Sequence, residues 1–242
     1  MISSCKLNIG AELVFEFKSV SQTATRDAIK SLRNSNARDI FGLSIALIKR
    51  NISSFVAPLT KLANIVIESG IFPDNLKVAL VNPLLKKGLD ENDINSYRPI
   101  SNLPIFSKII EKILCKQLTN YFESNDIFYH HQYGFRKSRS TSDAITSLVT
   151  NVLQCFEKKQ YMVAAFVDLS KAFDCLDHDI LIRKLLQIYK FGIKSASLIK
   201  SFLTNRYQCV NFNKVVSKKL PIKRGVPQGS ILGPLLFLIY IN

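Results

Sequence analysis

Apolar residues recur three and four positions apart over residues 21–70, a spacing typical of helices that bury one face. Pro58 is predicted to open a new helix at its first turn, and Gly70 to end that helix. The β-branched, apolar run over 78–85 indicates a short strand, which a Lys-Lys-Gly sequence ends. The two prolines of segment 96–104 fix the backbone and remove donors, so a loop is predicted there.

Two further helices are predicted in the middle of the chain. Residues 105–124 have the pattern of an amphipathic helix, with apolar residues three and four positions apart on one face. A basic loop follows it. The next helix begins at Ser140 or Thr141, since either hydroxyl can cap a helix and Asp143 would lie in the first turn.

The second half of the chain has a different pattern. Residues 160–168 form a continuous apolar run of strand length that ends at Asp168, as expected of a strand buried on both faces. A helix is predicted over 178–192, with Asp177 as its cap and Gly192 at its end.

Another helix is predicted over 195–206, and residues 207–222 indicate a hairpin that turns near Asn213 and Lys214, because Asn tolerates a left-handed conformation. Helices therefore come first, and a strand, helices and a hairpin follow. This order predicts an α+β fold with a mixed sheet in the C-terminal half.

Composition adds a class of partner. The chain has 33 Lys and Arg against 18 Asp and Glu, a formal charge of +15, and the basic residues recur along its length. A folded, basic protein favours a polyanionic partner, nucleic acid before a membrane surface. The alternative is a solvated basic surface that only keeps the protein soluble.

The cysteines and the apolar runs indicate a protein that works inside the cell. The 5 cysteines are scattered and include no C-x-x-C pair, which argues against a disulfide framework and a zinc module. The longest apolar run, 234–241, is too short to span a bilayer, and the N-terminus lacks the pattern of a signal peptide. No membrane partner is therefore expected.

Asp168 is the candidate for chemistry. A strand that delivers a carboxylate at its end can hold a hard divalent cation such as Mg²⁺, although an isolated Asp is also a common cap or turn residue. A phosphatase of the aspartyl-phosphate type would need a second Asp two residues later, where Ser170 stands. A polymerase palm would need one Asp here and two more on a neighbouring hairpin.

Two segments carry a resemblance to a known family. "FVDLSKAFDCLDHDILIRKL" at 166–185 and "GVPQGSILGPLLFLIYIN" at 225–242 resemble the reverse transcriptase of non-LTR (LINE-type, jockey-like) retrotransposons. Three more segments match in the expected order: "NPLLKKG", "SYRPISNLPIFSKIIEKIL" and "HHQYGFRKSRSTSDAI". The resemblance covers roughly residues 70 to 242.

The resemblance implies the polymerase right-hand fold. The fingers would span about 71–160 and a partial palm 161–242, without a thumb, and a helical connector over 1–70 would precede them. It also implies RNA-directed DNA polymerisation, with an RNA template, a DNA primer, dNTPs and a two-metal Mg²⁺ site. An intracellular location in the nucleus or in a cytoplasmic ribonucleoprotein would follow.

The resemblance implies roles for the residues of the first motif. Asp168 would be the catalytic, metal-binding carboxylate shared by both ions. The next four residues would lie along the incoming triphosphate: Leu169, Ser170, Lys171 and Ala172. Phe173 would be a steric gate whose ring clashes with a 2′-hydroxyl, so that dNTPs are preferred over rNTPs. Without the motif, Phe173 would be interpreted as a core aromatic.

The other motifs supply residues for the nucleotide and the nucleic acid. Gln228 would contact the template nucleotide or the incoming base, Gly229 would permit close approach of a ligand, and Ser230 would begin the next helix near the template. The resemblance assigns Arg136 to the triphosphate, and three further basic residues to the fingers or to template phosphates: Arg98, Lys137 and Arg139. An ordinary Gly-Pro turn is the alternative for the GVPQGS loop, and a loop arginine that bonds to local carbonyls is the alternative for Arg98.

The family continues with an aromatic–x–Asp–Asp hairpin that supplies the remaining metal ligands, and this sequence contains no Asp-Asp pair. We therefore expect residues 1–242 alone to be inactive. The alternative function is a non-catalytic, nucleic-acid-binding remnant of such an element. A third, less favoured interpretation is a compact interaction protein with incidental basic charge.

Overall fold

The computed structural model describes residues 14–169, 172–213, 215–227 and 229–242. Its α-helices are α1 (Gln22–Ser31), α2 (Ile45–Arg50), α3 (Ile52–Ser69), α4 (Ile105–Ser124), α5 (Thr141–Glu157), α6 (His178–Gln187), α7 (Ile193–Leu203) and α8 (Leu232–Ile241). Its strands are β1 (Val78–Leu85), β2 (Tyr97–Asn102), β3 (Arg206–Phe212), β4 (Val215–Val216) and β5 (Leu220–Ile222).

The sheet is mixed. β1 pairs with β2 in antiparallel and with β3 in parallel, and β4 and β5 both pair with β3 in antiparallel. A shared apolar core of helical and loop side chains packs beside it, drawn from α1 to α4 and α6 to α8. The predicted combination of packed helices with a mixed sheet is confirmed.

The loop predicted over 96–104 is wrong, because β2 forms there. Two prolines face each other across the pair, Pro99 of β2 opposite Pro83 of β1. β2 lies at the edge of the sheet, and β3 pairs only with Val78–Val81 of β1. Each proline thus sits where no second neighbouring strand needs its missing N–H.

The strand predicted over 160–168 is also wrong. The structure has no strand there, and the run is exposed to solvent, with Val163 95%, Phe166 84% and Val167 86% exposed. An apolar sequence becomes a strand only when another strand pairs with its backbone, and no described strand does so. The neighbouring helix α5 likewise buries none of its residues.

Several helix ends follow the sequence closely. Gly70 ends α3 with a left-handed φ of 67°, as predicted. Ser140 caps α5 in a reciprocal capping box with Asp143, and Asp177 caps α6 by accepting from the amides of the first turn. The hairpin turn is also confirmed, since Asn213 lies between β3 and β4 with a φ of 49°.

Two predicted helix ends are wrong. Pro58 lies inside α3 on its exposed face, where the carbonyl left without a partner by the missing N–H remains open to water. Helix α6 ends at Gln187, and Gly192 begins α7 instead. Its amide bonds to the carbonyl of Phe15. Across the described residues, no helix is both long and apolar enough to cross a membrane.

Candidate nucleotide-binding and catalytic site

The first motif and the GVPQGS loop lie side by side. The N–H of Gly225 donates to the carbonyl of Leu176 over 2.8 Å, and the N–H of Val226 donates to the carbonyl of Phe173 over 2.9 Å. The ring Nε2 of His178 lies 2.8 Å from the carbonyl oxygen of Gly225. These bonds link residues 172–178 directly to the start of the loop.

The close contact between the two segments requires glycine at position 225. Its φ is 78°, and an added Cβ would lie 2.5 Å from the carbonyl oxygen of Phe173 and 2.7 Å from the Cα of Asp174. Those neighbours are backbone atoms, which cannot turn aside as a flexible side chain can. A side chain at this position would therefore separate the two segments.

Phe173, the predicted steric gate, sits at this junction. Its ring is half-buried and lies 5.0 Å from the ring of Phe237 in α8 and 5.9 Å from that of Phe135, measured between centroids. Ala172 lies beside it in a short 3₁₀ turn. The ring packs against the core, which orients it, and its role in sugar selection stays a prediction.

Asp168 is not held at the end of a buried strand. It lies in the exposed segment that precedes the turn, as does Leu169, which is 61% exposed. Ser170, Lys171 and Gln228 lie outside the described residues. Within the described ranges, no group of three or more His, Cys, Asp or Glu side chains could hold a metal ion. Asp168 alone does not fit a site for two divalent cations.

The far side of the GVPQGS loop rests on β2. Gly229 has a φ of 102°, and a Cβ there would lie 2.5 Å from the carbonyl oxygen of Ser101. A surface cavity of about 440 Å³ lies beside this contact and is lined by Lys86, Tyr97, Arg98, Pro99, Ile100 and Gly229. The structure thus brings together Arg98 and Gly229, two of the residues that the sequence predicted to bind substrates.

The start of α8, directly after the loop, is fixed from two sides. Ser230 is buried, and its Oγ accepts from the N–H of Gly233 over 2.9 Å. The carboxylate of Glu111, on α4, accepts from the N–H of Ile231 over 2.7 Å and from that of Leu232 over 3.2 Å. The hydroxyl of Ser230 therefore faces its own helix, and contact with the template stays a prediction.

Glu111 was missed by sequence reasoning. Its side chain is fully buried, and burial raises the pKa of its carboxyl, while Arg206, the hydroxyl of Ser107 and the two α8 amides oppose that rise. The sequence does contain a signal. Ser107 and Glu111 occupy the same helical face as Leu114 and Leu118, at positions that an amphipathic helix normally fills with apolar residues.

Arg136 is held by the protein itself. Its Nε and Nη2 donate to the two carboxylate oxygens of Glu123 over 3.1 and 2.7 Å, and its Nη1 donates to the carbonyl of Tyr129. The guanidinium also lies over the ring of Phe128, 5.2 Å from its centroid. The side chain is only 7% exposed, so in this structure it joins the end of α4 to the basic loop.

The other basic residues of the loop remain at the surface. Lys137 lines a groove of about 570 Å³ between α1 and α4, where Lys112 and Lys116 lie along the same wall. Arg139 lies over the ring of Tyr133, 5.8 Å from its centroid. Arg136 thus has a structural role in this fold, whereas Lys137 and Arg139 are exposed.

A family model described as reverse transcriptase (RNA-dependent DNA polymerase) matches residues 84–242. The match covers more than half of the 242 residues, and the chain belongs to the reverse transcriptase family. The predicted family, the reverse transcriptases, is thereby confirmed.

The sequences similar to this chain come from LINE-type retrotransposons, as predicted. The chain is 33% identical over 214 residues to "Probable RNA-directed DNA polymerase from transposon BS" of Drosophila melanogaster. It is 34% identical over 184 residues to "RNA-directed DNA polymerase from mobile element jockey" of the same species. The alignments cover 88% and 76% of this chain, but only 23% and 20% of those relatives.

Proposed function

We propose that this chain supplies the fingers and part of the palm of a retrotransposon reverse transcriptase, which copies an RNA template into DNA from a DNA primer and dNTPs. The fingers would comprise about 71–160 and the partial palm 161–242. The connector over 1–70 would precede them; its residues 1–13 lie outside the described residues, and 14–70 contain α1 to α3. The observation that carries this proposal is the direct backbone pairing of residues 173–176 with the GVPQGS loop. The enzyme would act in the nucleus or in a cytoplasmic ribonucleoprotein.

The incoming nucleotide would bind where the two motifs meet. Gly229 brings the loop against β2, beside the cavity that Lys86 and Arg98 line, and Phe173 is oriented by Phe237 on the other side of the loop. Two cations beside a glycine-containing loop can neutralise a triphosphate. A fixed ring can select against a 2′-hydroxyl by its bulk. We assign Gln228, Ser170 and Lys171 to the same site from the family motif.

The single-stranded template would follow the groove between α1 and α4. Lys112, Lys116 and Lys137 line it, and the chain as a whole carries a charge of +15. Exposed lysines can neutralise phosphates in a sequence-independent, salt-dependent way. Arg139, with Tyr133 beneath it, would extend this surface.

Asp168 would be one carboxylate of the metal site that reverse transcriptases generally use. One carboxylate offers a single negative charge against two divalent cations, and each ion needs shared ligands to be held about 3.5–4 Å from the other. Additional carboxylates and a strand that pairs with 160–168 would both be needed to build the site. A family hairpin with an Asp-Asp pair would provide both.

The second candidate is a nucleic-acid-binding fragment without catalysis. Two features favour this candidate for residues 1–242 taken alone. Asp168 is exposed, and one carboxylate is too few ligands for two divalent cations. Primer extension on an RNA template, with Mg²⁺ or Mn²⁺, separates the two functions. We expect no extension by residues 1–242, and extension by a longer chain that adds an Asp-Asp hairpin and a thumb of the family type. A longer chain that folds and binds template but adds no dNTP would overturn the enzymatic proposal.

A further inference from the structure

Helix α8 has almost no preferred side of its own. Its sequence, LGPLLFLIYI, is apolar all the way round, so burial alone does not fix how the helix is rotated or where it begins. Its N-cap residue, Ile231, makes no side-chain cap, although the first amides of a helix lack partners within the helix. Ser230 accepts from the N–H of Gly233, and the amides of Ile231 and Leu232 need an acceptor from another element.

Polar side chains of neighbouring elements contact both ends of α8. At the N-terminus, Glu111 accepts from the amides of Ile231 and Leu232. At the C-terminus, the ammonium of Lys184 donates to the carbonyl of Tyr240 over 2.8 Å. The signs suit the helix dipole, with an anion at the positive end and a cation at the negative end.

The contact of Glu111 reaches the GVPQGS loop directly. Ser230, the last residue of the loop, is bonded by its N–H to the carbonyl of Pro227 and by its Oγ to the N–H of Gly233. The loop therefore has little freedom once the first turn of α8 is held. The hydroxyl of Ser107 donates to the other oxygen of Glu111 over 2.8 Å, which fixes the orientation of the carboxylate.

We propose that Glu111 is a positioning residue for the nucleotide site: by accepting the first two amides of α8, it sets the place of the GVPQGS loop between β2 and the Phe173 turn. The action of Glu111 on the loop is inferred only from the hydrogen bonds described above. Its effect on dNTP binding rests on the function proposed above. The described hydrogen bonds of Glu111 are with Ser107 and with the first amides of α8, so it acts through that helix.

Two substitutions of Glu111 separate its role as a hydrogen-bond acceptor for α8 from the effect of its negative charge. Arg206 is buried nearby, and its Nε and Nη2 have no hydrogen-bond partner among the described residues, so the negative charge of Glu111 also matters to it. Glu111→Gln and Glu111→Leu remove that charge equally. Only the Gln side chain keeps an oxygen that can accept the two amides.

The first measurement is amide hydrogen exchange of residues 1–242, read at Ile231 and Leu232. We expect Glu111→Gln to keep near wild-type protection, and Glu111→Leu to raise the exchange rate at both amides by about tenfold or more. Ser230→Ala is the matched control, since it should expose Gly233 and spare Ile231 and Leu232. Equal protection in the Gln and Leu variants would overturn the proposal. Loss of protection or of folding in Glu111→Gln would also overturn it, because charge would then be the cause.

The second measurement uses the longer chain with the Asp-Asp hairpin. We expect Glu111→Leu to raise KM for dNTP by about tenfold with a much smaller change in kcat, and Glu111→Gln to restore the wild-type KM. An equal fall in kcat for both variants would contradict a positioning role. If the longer wild-type chain adds no dNTP, the proposed function fails, and the exchange measurement still decides the role of Glu111.

Discussion

The carbonyl oxygen of Phe173 accepts a hydrogen bond from the backbone N–H of Val226, and this 2.9 Å contact joins two motifs that lie more than fifty residues apart in the chain. One motif ends the segment that carries Asp168, and the other is the GVPQGS loop. Because both partners are backbone atoms, the contact depends on how closely the two segments of the backbone approach each other. Gly225 permits that approach.

We predict that Gly225→Ala strongly destabilises the fold. The new Cβ would combine a left-handed φ of 78° with a backbone contact of 2.5 Å. Gly88→Ala is a matched control, because Gly88 has a φ of 80° and nothing within 4 Å of its added Cβ. We expect Gly88→Ala to cost about 1 kcal/mol from the backbone conformation alone, and Gly225→Ala at least about 2 kcal/mol more.

Thermal unfolding of both variants measures this difference. For a chain of this size, an extra 2 kcal/mol lowers Tm by roughly 4–8 °C. Equal Tm values for Gly225→Ala and Gly88→Ala would show that the loop does not need its close approach to the Phe173 turn.

Arg136→Ala is predicted to act on stability. The substitution leaves Glu123 without its bidentate partner and removes the guanidinium from the ring of Phe128. Glu123 is 30% exposed, so water offsets part of the loss, and we expect about 1–3 kcal/mol in urea unfolding. Arg139→Ala, which loses a contact with Tyr133 at the surface, should cost much less. If Arg136→Ala is as stable as the wild type, the fold does not need the guanidinium of Arg136. That side chain would then be free to bind the triphosphate.

The groove lysines are predicted to dominate nucleic-acid binding. Replacing Lys112, Lys116 and Lys137 together with Ala should weaken binding to single-stranded RNA of every sequence, and should flatten the slope of log K against log salt by about 2. The control removes three exposed lysines elsewhere: Lys61, Lys158 and Lys200. Fluorescence anisotropy over a salt series measures both slopes. An identical change in the two triple variants would mean that net charge, and no particular surface, determines the affinity.

Glu111 gives a prediction about pH. Burial raises its pKa in the folded protein above the ordinary value of 4.5, so the folded state holds a proton more tightly than the unfolded state does. That contribution to stability is present at low pH and is lost as pH rises through the raised pKa. The free energy of unfolding of the wild type, minus that of Glu111→Gln, should therefore decrease as pH rises and then level off. Urea unfolding at a series of pH values measures this difference, and an increase with pH would contradict the burial of the carboxyl.

Local signals predicted three helix caps correctly, failed at Pro58 and Gly192, and predicted strand pairing poorly. Ser140, Asp177 and Gly70 act on atoms within a few residues of themselves, so their caps could be predicted from the sequence. Segment 160–168 has the composition of a buried strand, yet strand formation depends on a distant partner. β2 shows the reverse case, since an edge position tolerates Pro99.

The site shows the same division. The family motifs predicted Phe173, Arg98 and Gly229, and the structure gathers them around one loop. No motif separates Arg136, which Glu123 holds, from Lys137, which is exposed. That distinction depends on a carboxylate thirteen residues earlier in the sequence, at the end of another helix. The contact of Glu111 with α8 could not be predicted for the same reason, because Ile231 and Leu232 lie 120 and 121 residues further along.

The central claim is that Asp168 is a catalytic carboxylate of a reverse transcriptase. The direct measurement is primer extension on an RNA template by the longer chain with the Asp-Asp hairpin, comparing Asp168→Asn with Asp179→Asn. Asp179 is an exposed carboxylate on α6 and serves as the matched control. We predict that Asp168→Asn abolishes dNTP incorporation while RNA binding persists, and that Asp179→Asn retains incorporation. Incorporation that survives Asp168→Asn at the wild-type rate would contradict the claim.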